Sequence, residues 1–305
     1  MTKVLVLMST YNGKKYVEEQ IQSILDQKDV ECKLLIRDDG SKDGTIDLLN
    51  EIASTHAKGT ITILCGDNVG VYNSFTSLVK YASQISDSYD YYAFSDQDDI
   101  WLPDKIRSAV NMLSALPKDK PLVYCSNSTM IDKERNKIKN LWEKESPNIT
   151  KERILFVNYA QGCTMVFNKS SLDMYNKRSC DLGKLHDFIM AFIGVYYGEI
   201  VYDENSYLLY RQHEGNVVGG SKKKYNMFQI IRNLLTFDSK RDELCRNILE
   251  HFDDLNKSDL KCIKMIAYYR NNIINKLRLL CHPSLYYKSF KENVLIGVRV
   301  MLGTF

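Results

Sequence analysis

Four times in its first 105 residues the chain repeats one passage: a short apolar run, a polar loop, then apolar positions at helical spacing. The runs are KVLVLMS at 3–9, CKLLI at 32–36, ITIL at 61–64 and YYAFS at 91–95. Each reads as a short buried strand. Helical spacing follows in Val17, Ile21, Ile24 and Leu25, in Ile46, Leu49 and Ile52, and in Phe75, Leu78, Val79 and Ala82. After the fourth run, Pro103 suits the first turn of a helix. This alternation implies an α/β domain, with a mostly parallel sheet flanked by helices and right-handed crossovers. The four loops then leave the sheet at one edge, the carboxyl ends of the strands, where open α/β folds bind ligands.

The first of these loops is Thr10-Tyr11-Asn12-Gly13, in which Gly13 is free to adopt positive φ. The second, RDDGSKDGT at 37–45, sets the adjacent carboxylates of Asp38 and Asp39 at a strand end, and the third, GDNVG at 66–70, carries Asn68. In the fourth, Asp96, Gln97, Asp98 and Asp99 stand together immediately after the strand. Oxygen ligands of this kind suit Mg²⁺ or Mn²⁺ held jointly with a substrate's phosphates. Taken singly, such an acidic turn serves as well to cap a helix, and Asp38-Asp39-Gly40 serves as well to make a turn. Four polar loops converging on one edge favour a pocket. No G-x-G-x-x-G follows the first strand and no G-x-x-x-x-G-K-[ST] occurs, which excludes the dinucleotide fingerprint and the P-loop. A nucleotide here would be held by carboxylates, which suit sugar hydroxyls and base N–H groups but need a cation beside phosphates.

MSTYNG at 8–13, LLIRDDGSKDGT at 34–45, GDNVG at 66–70 and FSDQDDIWLPDK at 94–105 together carry a resemblance. In order and spacing they are similar to the nucleotide-sugar-binding half of family 2 glycosyltransferases, which have the GT-A fold. The resemblance implies inverting transfer of a sugar from a nucleoside diphosphate donor, assisted by a divalent cation. It implies that Thr10, Tyr11 and Asn12 line the base and ribose pocket. Asp38 would accept from the base N–H, with Asp39 close by. Asp96 would contact the ribose or the metal, and Asp98 would be the main metal ligand.

The second half is expected to supply the acceptor side. PLVYCS at 121–126 and QGCTMVF at 161–167 read as strands, and 131–147 as a polar connection around Trp142, either a loop anchor or a sugar-stacking platform. In the resembling family a glycine in the 161–167 segment lies under the transferred sugar, which points to Gly162. His186-Asp187 precedes the apolar helix 188–197 where the family commonly has Glu-Asp; His-Asp is the form of a bacterial polysaccharide subgroup. Asp187 would be the base that takes the acceptor's proton, its pKa tuned by partial burial; the alternative is a plain helix N-cap. YLLYRQHEGNVVGG at 207–220 resembles the end of the catalytic domain in rhamnosyltransferase-like members. Arg211 or His213 would steady the departing diphosphate, a neutral His213 would complete the metal shell, and 216–220 would form a lid.

Charge divides the chain. Residues 221–305 hold 16 Lys/Arg against 8 Asp/Glu, whereas 1–220 are net acidic by 5. Helical spacing continues through Phe228–Leu235, 244–252 and 260–280, and 285–305 mixes apolar residues with Lys288, Lys291 and Arg299. A basic amphipathic terminus suits an anionic membrane surface; packing on the catalytic domain or in a homodimer accounts for it equally. No nucleic-acid-binding signature accompanies the charge. The eight cysteines are scattered without a C-x-x-C pair, which fits a reducing compartment. No signal peptide or membrane-spanning stretch is legible.

The sequence therefore predicts a GT-A catalytic domain at 1–220, with 1–110 binding nucleotide sugar and 111–220 the acceptor, and a helical C-terminal appendage at 221–305. The expected enzyme is cytoplasmic and peripheral on the inner face of the membrane. It would extend a bacterial cell-wall or capsular polysaccharide on a lipid-linked saccharide, from dTDP-β-L-rhamnose. A UDP-hexose transferase of the same fold is the alternative, as is a non-catalytic scaffold that binds nucleotide sugar or polysaccharide. A nucleotidyltransferase would show a glycine- and arginine-rich phosphate loop near its start, and MSTYNG is not one.

Overall fold

A computed structural model of the chain describes residues 1–85, 88–142, 147–178, 186–213, 239–286 and 290–305, with the backbone alone at Lys291. The expected lid at 216–220, the helical pattern at 228–235 and Lys288 lie outside the described residues. The chain forms two compact units. The described part of the first comprises 1–85, 88–142, Pro147, 159–178 and 186–213; that of the second comprises Asn148–Asn158, 239–286 and 290–305.

The first unit is built on a mixed sheet. Strands β1 (Thr2–Thr10), β2 (Val30–Asp38), β3 (Ile61–Cys65) and β4 (Tyr91–Ser95) alternate with helices α1 (Val17–Leu25), α2 (Thr45–Ser54) and α3 (Gly70–Gln84). The four strands run parallel in the order β3-β2-β1-β4. Beyond β4 the sheet turns mixed. Short β8 (Val166–Asn168) lies antiparallel to both β4 and β6 (Leu122–Ile131). Long β9 (Glu199–Arg211) runs parallel to β6, and β5 (Ile100–Trp101) closes the edge against β9.

β1 is apolar at every position from Val4 to Met8 because both its faces are covered. Val4, Val6 and Met8 join Ile21, Ile24, Leu34, Ile36 and Ala93 in one core, with Ile106, Ala109 and Leu113 of α4 (Lys105–Ser114). On the other face lies α3, with Phe75 edge-on to Phe94 at 5.3 Å between centroids and Phe94 against Phe167 at 4.8 Å.

Two readings of the second half change. The run 161–167 is not one strand: Gly162–Thr164 forms a 3-10 turn, in which Thr164 Oγ1 donates to the Gln161 carbonyl at 2.8 Å, and only Val166–Asn168 pairs as β8. The polar connection contains β7 (Lys137–Asn140), antiparallel to β6 across a bulge. Trp142 follows it as an anchor: its carbonyl and N–H both bond the Asn127 amide, and its ring meets Tyr159 edge-on at 5.0 Å.

In the second unit the run expected at 260–280 is two helices, Lys257–Ala267 and Ile273–Leu280, the latter capped by the Asn272 side chain accepting from Asn275 N. Asp242, on the helix Arg241–His251, is bracketed by Arg246 and Arg270, whose hydrogen bonds hold its carboxyl below the usual range despite partial burial. The last helix, Phe290–Leu302, leads into Phe305, whose ring lies against Phe156 and under Arg241 and whose carbonyl accepts from Tyr269 Oη at 2.8 Å. Among the described residues no helix is long and apolar enough to cross a membrane.

Candidate active site

Strand register brings the polar loops together. Thr10 pairs with Asp38, Asp38 with Cys65, and Met8 with Ser95, so the loops after β1 to β4 leave one edge of the sheet side by side. Thr10 Oγ1 donates to Asp38 Oδ2 at 2.9 Å. Tyr11 is 46% exposed at the rim. Asn12 has φ 49°, so the left-handed turn expected of Gly13 belongs to its neighbour. Asn68 is exposed in the third loop, its backbone N 3.1 Å from where a Cβ on Gly40 would stand.

The two carboxylates of the second loop are buried and already engaged. Asp38 accepts Gly40 N and Ser41 N on one oxygen, and Thr10 Oγ1 and Ser41 Oγ on the other, between 2.6 and 3.1 Å. A carboxylate with four donors has little capacity left for a base N–H. Asp39 pairs with Arg37 and accepts Val69 N at 3.0 Å and Gly70 N at 2.9 Å, tying the second loop to the third.

In the fourth loop Asp98 Oδ2 lies 2.7 Å from His213 Nε2. Loss of water, and then the charges of Asp98 and Asp187, push Asp96 up to about 7. Burial and the charges of Asp98 and Asp96 raise Asp99 well above the usual carboxylate range, and its Oδ1 accepts Arg211 N at 3.3 Å. Asp96, Asp99 and the Cys163 thiol also converge within 4.8 Å. Burial holds that thiol well above its ordinary pKa, which makes it a poor ligand for a hard cation. Asp98 and His213, 2.7 Å apart, offer a carboxylate oxygen and an imidazole nitrogen that suit Mg²⁺ or Mn²⁺ beside phosphate oxygens, and the Asp98 charge acts on Asp96.

Arg211 is engaged by protein partners. It is 2% exposed, donating from Nε to the Asp98 carbonyl at 3.0 Å and from an Nη to Glu19 Oε2 at 2.7 Å. Its guanidinium also lies 4.8 Å from the Tyr16 ring, on which His213 stacks at 5.2 Å. The geometry makes it a brace for the acidic loop.

Gly162 and Asp187 meet at the start of α7 (His186–Tyr197). A Cβ on Gly162 would lie 2.7 Å from His186 Nε2 and 3.3 Å from Asp187 Cβ, so close approach explains this glycine. The His186 ring stacks on Phe75 at 3.7 Å and meets Phe94 edge-on at 4.7 Å, and both its nitrogens lack hydrogen bonds. Burial drives its pKa down to about 3, so it is a neutral aromatic support behind Asp187. Asp187 Oδ1 accepts Phe188 N at 2.6 Å, and its charge reaches Asp96. Asp187 is the second residue of the helix, bonding its neighbour's amide there while its charge also acts on Asp96.

Residues 5–175 match the family model "Glycosyl transferase family 2". The chain belongs to this family. It is 34% identical over 238 residues to the dTDP-rhamnosyl transferase RfbG of Shigella flexneri, across 74% of this chain and 79% of that one. Among solved structures it is similar to S. aureus TarS 1–349 in complex with UDP-GlcNAc, at 15% identity and TM-score 0.55, covering 98% and 90% of the two chains. It is also similar to the mannosyltransferase PcManGT of Pyrobaculum calidifontis in complex with GDP-Man and Mn²⁺, at 15% identity and TM-score 0.54, covering 98% and 85%. The fold of this glycosyltransferase is GT-A.

Several residues of the glycosyltransferase site escape a reading of its motifs. Arg37 donates to Ser74 Oγ and the Asp67 carbonyl, Ser41 Oγ accepts Asn12 N, Glu19 pairs with Arg211, Gln97 bonds the Tyr11 backbone and the Tyr16 ring stacks on His213, each across segments distant in sequence. One had a signal: Arg37 directly follows the apolar run Leu34–Ile36, and a charge buried there needs a partner such as Asp39.

Proposed function

We propose that this glycosyltransferase moves L-rhamnose from dTDP-β-L-rhamnose, with inversion to an α-linkage, onto a lipid-linked saccharide in bacterial surface-polysaccharide synthesis. The observation that carries the donor assignment is the 34% identity over 79% of a dTDP-rhamnosyl transferase. Thr10, Tyr11, Asn12 and Asn68 line the nucleoside side of the pocket, and Asp38 and Asp39 shape it from beneath. Asp96, Asp98 and His213 would hold Mg²⁺ or Mn²⁺, which would supply positive charge beside the departing diphosphate.

Asp187 takes the proton from the acceptor hydroxyl. That oxygen bonds the anomeric carbon from the face opposite the diphosphate, the carbon–oxygen bond to the diphosphate breaks, and the configuration inverts. The meeting of Gly162 with Asp187, and the reach of the Asp187 charge to Asp96, support these roles, with Gly162 admitting the close approach of His186 and Asp187. Incubating the enzyme with Mn²⁺, dTDP-β-L-rhamnose and a synthetic lipid-linked saccharide tests the reading. An α-linked product by NMR is expected; a β-linked product, or transfer only from UDP-hexoses, overturns it.

The second unit supports a peripheral place on the inner face of an anionic membrane. Phe290, Val294, Val298, Met301 and Leu302 recur along one exposed face of their helix, and Ile273, Ile274 and Leu277 are exposed on the helix packed beside it. From 273 to 302 there are five Lys/Arg and a single Glu. Such a surface attracts anionic lipid and repels a second copy of itself.

A further inference from the structure

Gln97 stands between Asp96 and Asp98, and its side chain is spent elsewhere. Gln97 Oε1 accepts the Tyr11 N–H at 2.9 Å and Nε2 donates to the Tyr11 carbonyl at 3.1 Å. The amide thus pairs with one residue's backbone as a neighbouring strand would, and two bonds fix orientation as well as distance. Gly13 leaves the room for it. A Cβ there would lie 2.1 Å from Gln97 Oε1 and 2.6 Å from its carbonyl carbon, and Gly13 does not have the positive φ that would otherwise call for glycine.

On its other side the same loop is laced to 41–45. Asn12 N donates to Ser41 Oγ at 2.8 Å, Lys42 N to Asn12 Oδ1 at 2.9 Å, Gly13 N to Thr45 Oγ1 at 2.9 Å and Lys14 N to Asp43 Oδ2 at 3.1 Å. Gln97 joins this assembly to the acidic loop. We propose that Gln97 is a positioning residue for the donor, locking the nucleoside-facing loop to the metal-facing carboxylates so that base and diphosphate meet one preset geometry. The inference rests on the donor-site reading above. It explains why this position takes an amide: Gln97→Glu can accept from Tyr11 N but cannot donate to its carbonyl, and Gln97→Met keeps the length and loses both bonds.

Calorimetric binding of dTDP and UDP, each with and without Mn²⁺, tests the inference on the full chain. Gln97→Met, Gln97→Glu and Gly13→Ala are each expected to weaken the nucleotide that the wild type binds by about tenfold. Thermal unfolding of the Gln97→Met protein is expected to stay within about 2 °C of wild type, since the changed bonds lie at the surface. The deciding arm is the pair Gly13→Ala and Gln97→Ala. Combined, they are expected to bind no more weakly than Gln97→Ala alone, because the Gly13 clash needs the Gln97 side chain. Wild-type affinity in Gln97→Met, or losses that add in the double variant, overturns the inference. Failure of the wild type to bind either nucleotide overturns the donor-site reading, and the inference with it.

Discussion

Asp187 bonds the Phe188 amide through one carboxylate oxygen, and Asn can keep that bond while losing the capacity to take a proton. Asp187→Asn should therefore lower transfer by about 10²–10⁴-fold and leave donor affinity within about twofold. Turnover near the wild-type rate would remove the residue from the base role. Lys105 gives a pH-dependent case. Its ammonium is buried over the Trp101 ring at 3.6 Å without a hydrogen bond, and desolvation lowers its pKa to about 7, with Cys163, Cys32 and Asp99 opposing the shift. Between pH 7 and the unfolded value near 10.5 the unfolded chain binds a proton that the native chain does not, so this group destabilises fully below 7 and ever less as pH rises. Lys105→Met should thus raise Tm more at pH 6 than at pH 10. An equal change at both pH values would mean that the lysine is not the titrating group.

At the scale of elements, the strand–loop–helix units were legible because each depends on local period, and burial on both faces of the sheet leaves strands with almost no polar residue. The turn at Gly162–Thr164 was not, because its reason is tertiary: the chain must pass under His186 and Asp187, which follow it by more than twenty residues. The partner of Arg211 was hidden for the same reason, since its motif names a cation and only the fold supplies Glu19 from α1. The role of Gln97 was equally hidden, its partner Tyr11 lying in another loop. Gly162→Ala puts this element to test. With 2.7 Å to His186 Nε2, the added methyl should displace α7's first turn and reduce kcat by at least about tenfold, with donor affinity retained. A normal kcat would show that the turn yields without disturbing Asp187.

At the scale of the whole molecule, the terminal helix cannot be treated as a detachable anchor. Ile296, Val300 and Phe305 are buried in the second unit, so deletion from 285 onward would open its core. Val294→Asp combined with Val298→Asp changes only the exposed face, and should abolish flotation with anionic liposomes while nucleotide binding stays unchanged. Undiminished flotation would remove this face from membrane attachment, and a concentration-dependent dimer lost in the same variant would give the face to a second copy. The central claim is a metal-assisted donor site for a nucleoside diphosphate sugar, and calorimetry of dTDP-rhamnose beside a panel of UDP-hexoses, with and without Mn²⁺, tests it most directly. The account predicts Mn²⁺-dependent binding of dTDP-rhamnose in preference to every UDP-hexose; tighter binding of a UDP-hexose, or binding indifferent to the metal, would contradict it.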